Sequence, residues 1–216
     1  MGNKMKNCVI FAGGDFQADG FAMPPADLII CADGGLKHAL EVGVKPDAVI
    51  GDFDSWKGGF PENSEIIKSP PEKDDTDTML AVRYAIGKNC KSITLYGGLG
   101  GRFDHAFANV QTLIFAYENG CYMEIVGDGN ILNVQGTGSQ TYERRGMRYF
   151  SVFSLTEELH ISELSGVKYP VSDYIFSQSF PLGVSNEITA EKACVSIKNG
   201  LALIICSERM HENSPR

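Results

Sequence analysis

The sequence lacks the features that direct a chain into a membrane or out of the cell. Its apolar runs fall far short of the ~20 residues that a membrane-spanning helix needs, so no membrane partner is expected. The basic start at residues 1–6 is followed by neither a long apolar core nor a cleavage site. The six cysteines include no Cys-x-x-Cys pair, and no histidine pair completes a zinc pattern. A reduced, cytoplasmic protein is the simplest interpretation.

Positive charge is also scarce, which argues against a nucleic-acid partner. The 216 residues include 19 Lys and Arg against 27 Asp and Glu, for a formal net charge of −8. A surface that binds nucleic acid requires a basic footprint, which this composition does not supply. The chain also has no internal repeat, long linker or low-complexity segment. Its length suits one large domain or two modest ones.

The first half of the chain alternates predicted strands with predicted helices. Apolar runs predict strands at residues 8–11, 28–32, 48–50, 65–68, 92–96 and 123–126. Helices are predicted near residues 36–42 and 76–88. A third helix is predicted from an apolar stripe of Phe103, Phe107, Val110, Ile114 and Tyr117. Continuous apolar strands that alternate with helices predict a mainly parallel sheet with both faces covered.

The second half changes character after about Asn130. It is rich in Thr, Ser, Tyr and Val, and short runs predict strands near residues 149–153, 159–161, 174–176, 193–197 and 201–205. Between the last two strands, Asn199 and Gly200 are a strong hairpin signal. The predicted fold is therefore an α/β domain at residues 1–130, followed by an all-β antiparallel sandwich at residues 131–216. The tail at 211–216 is expected to be frayed.

A pair of aspartates at the end of a predicted strand is the most informative motif. Residues 48–55 read Ala-Val-Ile-Gly-Asp-Phe-Asp-Ser, so an apolar run and a glycine lead into Asp52 and Asp54. Side chains at i and i+2 of an extended chain point to the same side, roughly 7 Å apart. Two carboxylates arranged in this way suit a hard cation such as Mg²⁺. The structural alternative is a polar loop in which Asp54 or Ser55 caps the next element.

A second acidic cluster contains Asp74 and Asp77, three residues apart at a predicted helix start. Taken alone, these charges would stabilise the N-terminus of that helix. However, each polar cluster of the first half follows a strand, and ligands of open parallel sheets bind beyond the carboxyl ends of the strands. On one such rim, these two carboxylates would repel Asp52 and Asp54 strongly unless cations were present. The joint pattern therefore favours a metal site.

A glycine-rich turn between a strand and a helix is the third motif. Residues 97–105 read Gly-Gly-Leu-Gly-Gly-Arg-Phe-Asp-His. Glycines at such a position let backbone N–H groups approach a phosphate, and the helix N-terminus adds a favourable dipole. Arg102 is suited to bind phosphate oxygens through two hydrogen bonds. The motif is neither a dinucleotide fingerprint nor a Walker A loop.

The order of these motifs is shared with a known family. Ala-Asp-Gly-Gly stands at residues 32–35, Gly-Asp-Phe-Asp-Ser at 51–55, Lys-Asp-Asp-Thr-Asp at 73–77, and the glycine-rich motif at 97–105. Gly-Val-Lys-Tyr-Pro at 166–170 and Ser-Asn at 185–186 agree more loosely. In order and spacing, these segments resemble thiamine pyrophosphokinases over most of the chain.

The resemblance implies an enzyme that transfers a pyrophosphoryl group from ATP to the hydroxyl of thiamine, giving thiamine diphosphate and AMP. ATP would be the co-substrate and Mg²⁺ the metal. The family's architecture implies an α/β nucleotide domain and a thiamine-binding β-sandwich. It also implies a homodimer in which thiamine is held where domains of both subunits meet.

The resemblance also implies roles for individual residues. The Mg²⁺ ligands would be Asp52, Asp54, Asp74 and Asp77. The nucleotide contacts would be Asp33, Gly34, Thr76, Gly98, Gly100, Gly101 and Arg102. The thiamine contacts would be Asp104, Tyr169, Ser185 and Asn186. The catalytic residues would be Asp52, Asp54, Asp77, Arg102 and Asp104, and which aspartate is the general base does not follow from the sequence.

Two other functions remain open at this point. A Mg²⁺-dependent phosphohydrolase also uses Asp-x-Asp after a strand, with the first aspartate as the nucleophile. That interpretation leaves the glycine-rich motif and the β-rich second half unexplained. A non-catalytic sensor would keep a thiamine or nucleotide site without turnover. The near-complete set of acidic and basic groups argues against a sensor.

Overall fold

The computed structural model describes residues 5–54, 56–70 and 74–208 of the chain. The motif residues Ser55 and Lys73 and the predicted frayed tail at 211–216 lie outside the described residues. The chain divides into two compact units, Met1–Asp128 and Gly129–Arg216. Among the described residues, no helix has both the length and the apolar character required to cross a membrane.

The first unit is a parallel α/β unit. Its strands are β1 (Lys6–Phe11), β2 (Leu28–Ala32), β3 (Ala48–Gly51), β4 (Glu65–Lys68), β5 (Cys90–Tyr96) and β6 (Tyr122–Gly127). Its helices are α1 (Gly35–Glu41), α2 (Asp77–Gly87) and α3 (Phe103–Glu118). The strands lie in the order β4-β3-β2-β1-β5-β6, and each of these neighbouring pairs is parallel. This topology confirms the mainly parallel sheet that the sequence predicted.

The core of this unit forms where the continuous apolar strands meet the helices. One cluster joins Val9 and Phe11 of β1 to Val49 of β3, and α1 closes it with Leu36 and Ala39. Strands buried on both faces have no solvent-facing side on which to alternate polar residues. This explains why their sequences read as apolar runs without a period of two.

Helix α3 is present, but the apolar stripe that predicted it does not mark its buried face. Phe103 is 81% exposed and Phe107 is 56% exposed. The buried residues of the helix are instead Asn109, Thr112, Leu113 and Ala116. Small side chains let a helix lie close to the surface that it covers, and the large rings are left on the outside. The stripe is therefore a surface feature that the packing of this unit does not explain.

The second unit is an all-β sandwich. Its strands are β7 (Asn130–Gln135), β8 (Gly138–Glu143), β9 (Tyr149–Ser154), β10 (Glu158–Ser165), β11 (Val171–Ser177), β12 (Lys192–Asn199) and β13 (Ala202–Ser207). One sheet has the order β7-β13-β9 and the other the order β11-β10-β12-β8, with antiparallel pairings throughout. Phe150 and Ile204 of the first sheet are buried, as are Ile161 and Val195 of the second. The predicted antiparallel sandwich is confirmed.

The hairpin predicted at Asn199 and Gly200 is wrong. Strand β12 pairs with β10 and β8, whereas β13 pairs with β7 and β9 in the other sheet. Both strands alternate buried and less buried residues, so each presents one apolar face to the core. Strands on opposite sheets can point those faces at each other, and adjacent strands of one hairpin cannot. Burial has overridden the local turn signal.

The contribution of α1 to the core can be tested with two leucines of the same helix. Leu36 is 1% exposed and Leu40 is 41% exposed. We expect Leu36→Ala to lower the free energy of unfolding by about 2–5 kcal/mol, because it leaves a cavity against the sheet. Leu40→Ala is the matched control and should cost less than about 1 kcal/mol. Urea denaturation followed by circular dichroism measures both, and equal losses would contradict the assigned packing.

Candidate active site

A cleft of about 440 Å³ opens in the first unit at the carboxyl ends of the parallel strands. Its walls are the loops after β1, β2 and β5 and the beginnings of α2 and α3. The lining comes from residues 12–15, 32–34, 76–78, 97–98 and 100–102, together with His105 and Asn109. All seven predicted nucleotide contacts line this cleft: Asp33, Gly34, Thr76, Gly98, Gly100, Gly101 and Arg102.

Two of these loops are joined to each other by their backbones. Strands β1 and β5 are neighbours with Phe11 opposite Tyr96, so the chain leaves both strands side by side. Gly14 then donates its N–H to the Gly97 carbonyl at 2.8 Å. Gly97 has a φ of +66°, and a Cβ there would lie 2.2 Å from the Ala12 carbonyl oxygen. Only glycine combines this backbone conformation with so close a contact.

Several backbone N–H groups of the glycine loop have no hydrogen-bond acceptor among the described residues. Within residues 5–54, 56–70 and 74–208, the N–H groups of Gly98, Gly100 and Gly101 form no hydrogen bond to the protein. Successive unpaired N–H groups in a turn form a concave site with positive potential, and the N-terminus of α3 adds to it. This side of the cleft is therefore suited to an anion such as a phosphate.

The surroundings of Asp33, which directly follows β2, are acidic. Burial raises the pKa of Asp33 above its ordinary value, and the N–H of Gly34 partly opposes that shift. Three neighbouring carboxylates raise this pKa further, namely Asp77, Asp52 and Asp54. The fold therefore brings together three of the four predicted metal ligands, although Asp52 and Asp54 do not line the cleft itself.

Hydrogen bonds hold two of these carboxylates in place. The Asp54 N–H donates to Asp52 Oδ1 at 3.1 Å, and the Ser69 hydroxyl donates to Asp77 Oδ1 at 3.2 Å. Thr76 caps α2 by accepting the Met79 N–H at 3.1 Å through its side-chain oxygen. The carboxylates thus stand on the ends of a strand and a helix rather than on a free loop.

The described residues alone do not form a complete set of metal ligands. Among the described residues, no three His, Cys, Asp or Glu side chains are grouped so that they could hold a metal ion, and Asp74 is exposed outside the cleft lining. Mg²⁺ commonly binds one or two carboxylates and completes its shell with substrate phosphates and water. The hard oxygen donors near Asp33 fit such an ion in the presence of a phosphorylated ligand.

Arg102 and Asp104 form an ion pair at the start of α3. Arg102 Nε lies 3.1 Å from Asp104 Oδ1, and Nη2 lies 2.5 Å from Oδ2. These hydrogen bonds lower the pKa of Asp104 below its ordinary value and raise that of Arg102. Both side chains are exposed, and only Arg102 lines the cleft. Solvent screens the pair, so a more highly charged phosphate can replace Asp104 as the partner of Arg102.

The predicted thiamine contacts other than Asp104 lie in the second unit. Asn186 is 6% exposed, and its side chain accepts the Tyr169 N–H at 3.0 Å and donates to the Tyr169 carbonyl at 2.9 Å. Ser185 donates its N–H to the Ser151 hydroxyl at 3.0 Å. Because its amide is occupied, Asn186 can act by holding Tyr169, whose side chain is 61% exposed.

The sequence did not reveal two polar side chains beside the cleft, namely the half-buried His38 and the buried Asn109. His38 Nε2 lies 2.9 Å from the Gly14 carbonyl oxygen, and Asn109 Nδ2 donates to the Gly98 carbonyl at 2.7 Å. Neither residue belongs to a motif. A buried asparagine at 6% exposure on α3 is conspicuous only once the orientation of the helix is known.

Comparison with known proteins gives a consistent result over both units. The family model described as "Thiamin pyrophosphokinase, catalytic domain" matches residues 22–125. The model described as "Thiamin pyrophosphokinase, vitamin B1 binding domain" matches residues 140–202. Thiamine pyrophosphokinase of Bacillus subtilis (strain 168) is 30% identical over 188 residues, which cover 83% of this chain and 87% of that protein.

Solved structures agree with this result. The crystal structure of thiamine pyrophosphokinase from Bacillus subtilis superimposes with a TM-score of 0.84 at 26% identity, covering 95% of this chain and 100% of that one. The thiamin pyrophosphokinase from Geobacillus thermodenitrificans gives 0.82 at 29% identity, covering 94% and 98%. The yeast enzyme, at 16% identity and a TM-score of 0.72, covers 95% of this chain and 87% of its own and supports the fold alone.

The raised pKa of Asp33 leads to a prediction about stability. An aspartate whose pKa is higher in the folded state destabilises the fold when ionised at neutral pH, and the penalty disappears below its ordinary pKa near ~4. We therefore expect Asp33→Asn to raise the melting temperature by a few degrees at pH 7. The gain should vanish as the pH falls below that value. Calorimetry across pH, with the exposed Asp19→Asn as control, measures this difference, and a less stable Asp33→Asn at pH 7 would contradict it.

Proposed function

Because the chain belongs to the thiamin pyrophosphokinase family, we propose that its cleft binds ATP and that its second unit supplies thiamine contacts. The enzyme transfers a pyrophosphoryl group from ATP to thiamine and so produces thiamine diphosphate and AMP. One observation carries the site assignment: glycines whose N–H groups have no partner among the described residues line the same cleft as Asp33 and Asp77. Neither a phosphohydrolase nor a sensor is supported by the comparisons.

The glycine loop is proposed to hold the phosphates of ATP. The N–H groups of Gly98, Gly100 and Gly101 would donate to phosphate oxygens, and Arg102 would add a positive charge at the edge of the cleft. Thr76, Asp33 and Gly34 line the remaining wall and would contact the rest of the nucleotide. Asp15 also lines the cleft, beside Gly100, so a cation bound with the phosphates would offset its charge.

The carboxylate cluster is proposed to hold Mg²⁺ together with those phosphates. The proposed ligands are Asp52, Asp54, Asp74 and Asp77, of which all but Asp74 act on the pKa of Asp33. Their mutual repulsion would be relieved by a divalent cation, which makes a metal-free site unfavourable when all of them are ionised. When bound, Mg²⁺ supplies charge neutralisation across the phosphates that approach and leave during transfer.

The transfer requires positioning more than covalent chemistry. The hydroxyl oxygen of thiamine forms a bond to the β-phosphorus, the bond from that phosphorus to the oxygen bridging to the α-phosphate breaks, and AMP leaves. Arg102 would offset the charge that develops on the transferred group. Asp104, next to Arg102, is proposed to orient the hydroxyl or accept its proton.

Thiamine is proposed to lie against Tyr169 and Ser185, with Asn186 fixing Tyr169 through its backbone. An exposed tyrosine ring can stack on the flat rings of thiamine and attract its positively charged thiazolium ring. Ser185 has a φ of +59°, a conformation that is uncommon for a residue other than glycine and is often found at binding sites.

The enzyme is also proposed to be a homodimer, with thiamine bound where the subunits meet, in the cytoplasm. Tyr174 and Ile175 are exposed on β11, the edge strand of its sheet, and Phe180, Leu182 and Val184 are exposed nearby in sequence. Apolar residues grouped in this way on a sheet edge are typical of an interaction surface. The six cysteines are free thiols, which is consistent with a reducing compartment.

The reaction and its metal dependence can be tested in one assay. Purified protein with ATP, Mg²⁺ and thiamine should yield AMP and thiamine diphosphate in equal amounts, and EDTA should abolish both until Mg²⁺ is restored. Asp52→Asn should lose at least about a hundredfold in kcat with an unchanged circular dichroism spectrum, because the site loses a charged ligand. Asp19→Asn is the control. ADP and thiamine monophosphate would place the attack on the γ-phosphorus, and phosphate release without thiamine would indicate a hydrolase.

The homodimer is tested by sedimentation. We expect the wild type to sediment as a dimer and Ile175→Lys to shift it toward a monomer, because a charge on the apolar edge must be desolvated on association. Ile66→Lys, at an exposed isoleucine on the edge strand β4 of the first unit, is the matched control. The monomeric variant should also show a raised KM for thiamine. A fully active wild-type monomer would refute the proposed interface site.

A further inference from the structure

We propose that His38 and Asn109 are positioning residues that hold the two glycine loops of the cleft in the conformation that binds ATP. The inference rests on the proposed function of this cleft. It concerns residues that touch the backbone of the loops and that carry none of the binding or catalytic roles assigned above. Each donates a hydrogen bond to the carbonyl of a glycine that lines the cleft.

His38 restrains the loop after β1 through a hydrogen bond to its backbone. Its Nε2 lies 2.9 Å from the carbonyl oxygen of Gly14, which can only accept, so Nε2 carries the hydrogen. Its Nδ1 is buried and has no hydrogen-bond partner in the part of the chain that the structure describes. The ring packs on Phe16 with centroids 5.2 Å apart. The one hydrogen bond that the described residues show for this half-buried imidazole is therefore made to the loop.

Together with a backbone hydrogen bond, the bond from His38 restrains the peptide plane between Gly14 and Asp15. The Gly14 carbonyl is held by His38, and the N–H of the same peptide, on Asp15, donates to the Leu99 carbonyl at 2.9 Å. A Cβ on Gly14 would lie 2.6 Å from both the Gly97 and Leu99 carbonyl oxygens, so the loops touch here. Rotation of this peptide would break the contact between the two loops.

Asn109 does the same for the glycine loop after β5. Its Nδ2 donates to the Gly98 carbonyl at 2.7 Å from a position that is 6% exposed, on the face of α3 that packs inward. Holding this carbonyl fixes the plane between Gly98 and Leu99, and with it the orientation of the adjacent N–H groups. A carbonyl that turned toward a phosphate would repel it, because both present negative charge.

The two donors come from different helices and act on loops that share two backbone hydrogen bonds. Loss of Asn109 would leave the buried Gly98 carbonyl without its donor, and loss of His38 would do the same to the part-buried Gly14 carbonyl, so each peptide could rotate toward another partner. The expected consequence is weaker ATP binding with intact chemistry. Thiamine contacts and the carboxylate cluster are not reached by either side chain through any hydrogen bond that the described residues show.

The experiment compares His38→Leu and Asn109→Leu with the wild type in steady-state kinetics and in direct ATP titration without thiamine. We expect each variant to raise the KM and Kd for ATP about tenfold, with kcat and the KM for thiamine within about twofold. His38→Gln, whose amide nitrogen can replace Nε2, should recover ATP affinity to within about threefold of wild type. Asn119→Leu is the matched control, because Asn119 Nδ2 donates to the Phe115 carbonyl at 2.8 Å at the exposed end of α3.

The measurements distinguish a positioning role of His38 and Asn109 from a purely structural one. Variants that lose melting temperature but keep wild-type ATP affinity would reduce both residues to a structural role and overturn the inference. If a leucine variant does not fold, His38→Asn and Asn109→Ser, which are too short to reach the carbonyls, take its place. Arg102→Ala separates this inference from the proposed function. If Arg102→Ala and the His38 and Asn109 variants all keep wild-type ATP affinity, the assignment of the cleft to ATP is wrong. If Arg102→Ala weakens ATP binding and the other variants do not, only the positioning role is wrong.

Discussion

The burial of Asp33 beside other carboxylates is the constraint that best connects the fold of the first unit with its cleft. The fold places Asp33 where burial and the charges of Asp52, Asp54 and Asp77 all disfavour its ionised form. A protein selected only for stability would separate these groups or pair them with cations. Their proximity to Asp33 raises its pKa, and the proposed binding of a cation with a polyphosphate would relieve this unfavourable charge.

The sheet makes this arrangement possible because it is rigid and its strands are parallel. Strands β1 and β5 are neighbours, so their carboxyl ends release two loops at the same height, and the backbones of those loops are hydrogen-bonded to each other. Glycines allow the contact, and residues 8–11 of β1 beneath it are buried. The result is a cleft lined by glycine backbone together with the carboxylates of Asp15, Asp33 and Asp77, which suits the proposed magnesium-bound triphosphate.

Particular elements show where prediction from the sequence succeeded and failed. The parallel sheet and the sandwich were predictable because burial on two faces or one face leaves a visible pattern in each strand. The stripe on α3 predicted the helix but marked its exposed side, because small residues such as Ala116 and Thr112 pack inward. The Asn-Gly hairpin failed because β12 and β13 each found partners elsewhere in the chain, in different sheets.

By itself the sequence determined the order of the elements and the chemistry at their ends, because strand periodicity, glycine turns and acidic clusters are local properties of the chain. The resemblance of those motifs to thiamine pyrophosphokinases implied one nucleotide site that contains Asp33, Thr76 and the glycine loop. Only the tertiary structure decided that Asp33 and Asp77 line one cleft, that Asp74 lies outside its lining, and that His38 and Asn109 are hydrogen-bonded to the Gly14 and Gly98 carbonyls. His38 lies 24 residues from Gly14, and no local pattern records a contact formed only when a helix packs under a loop.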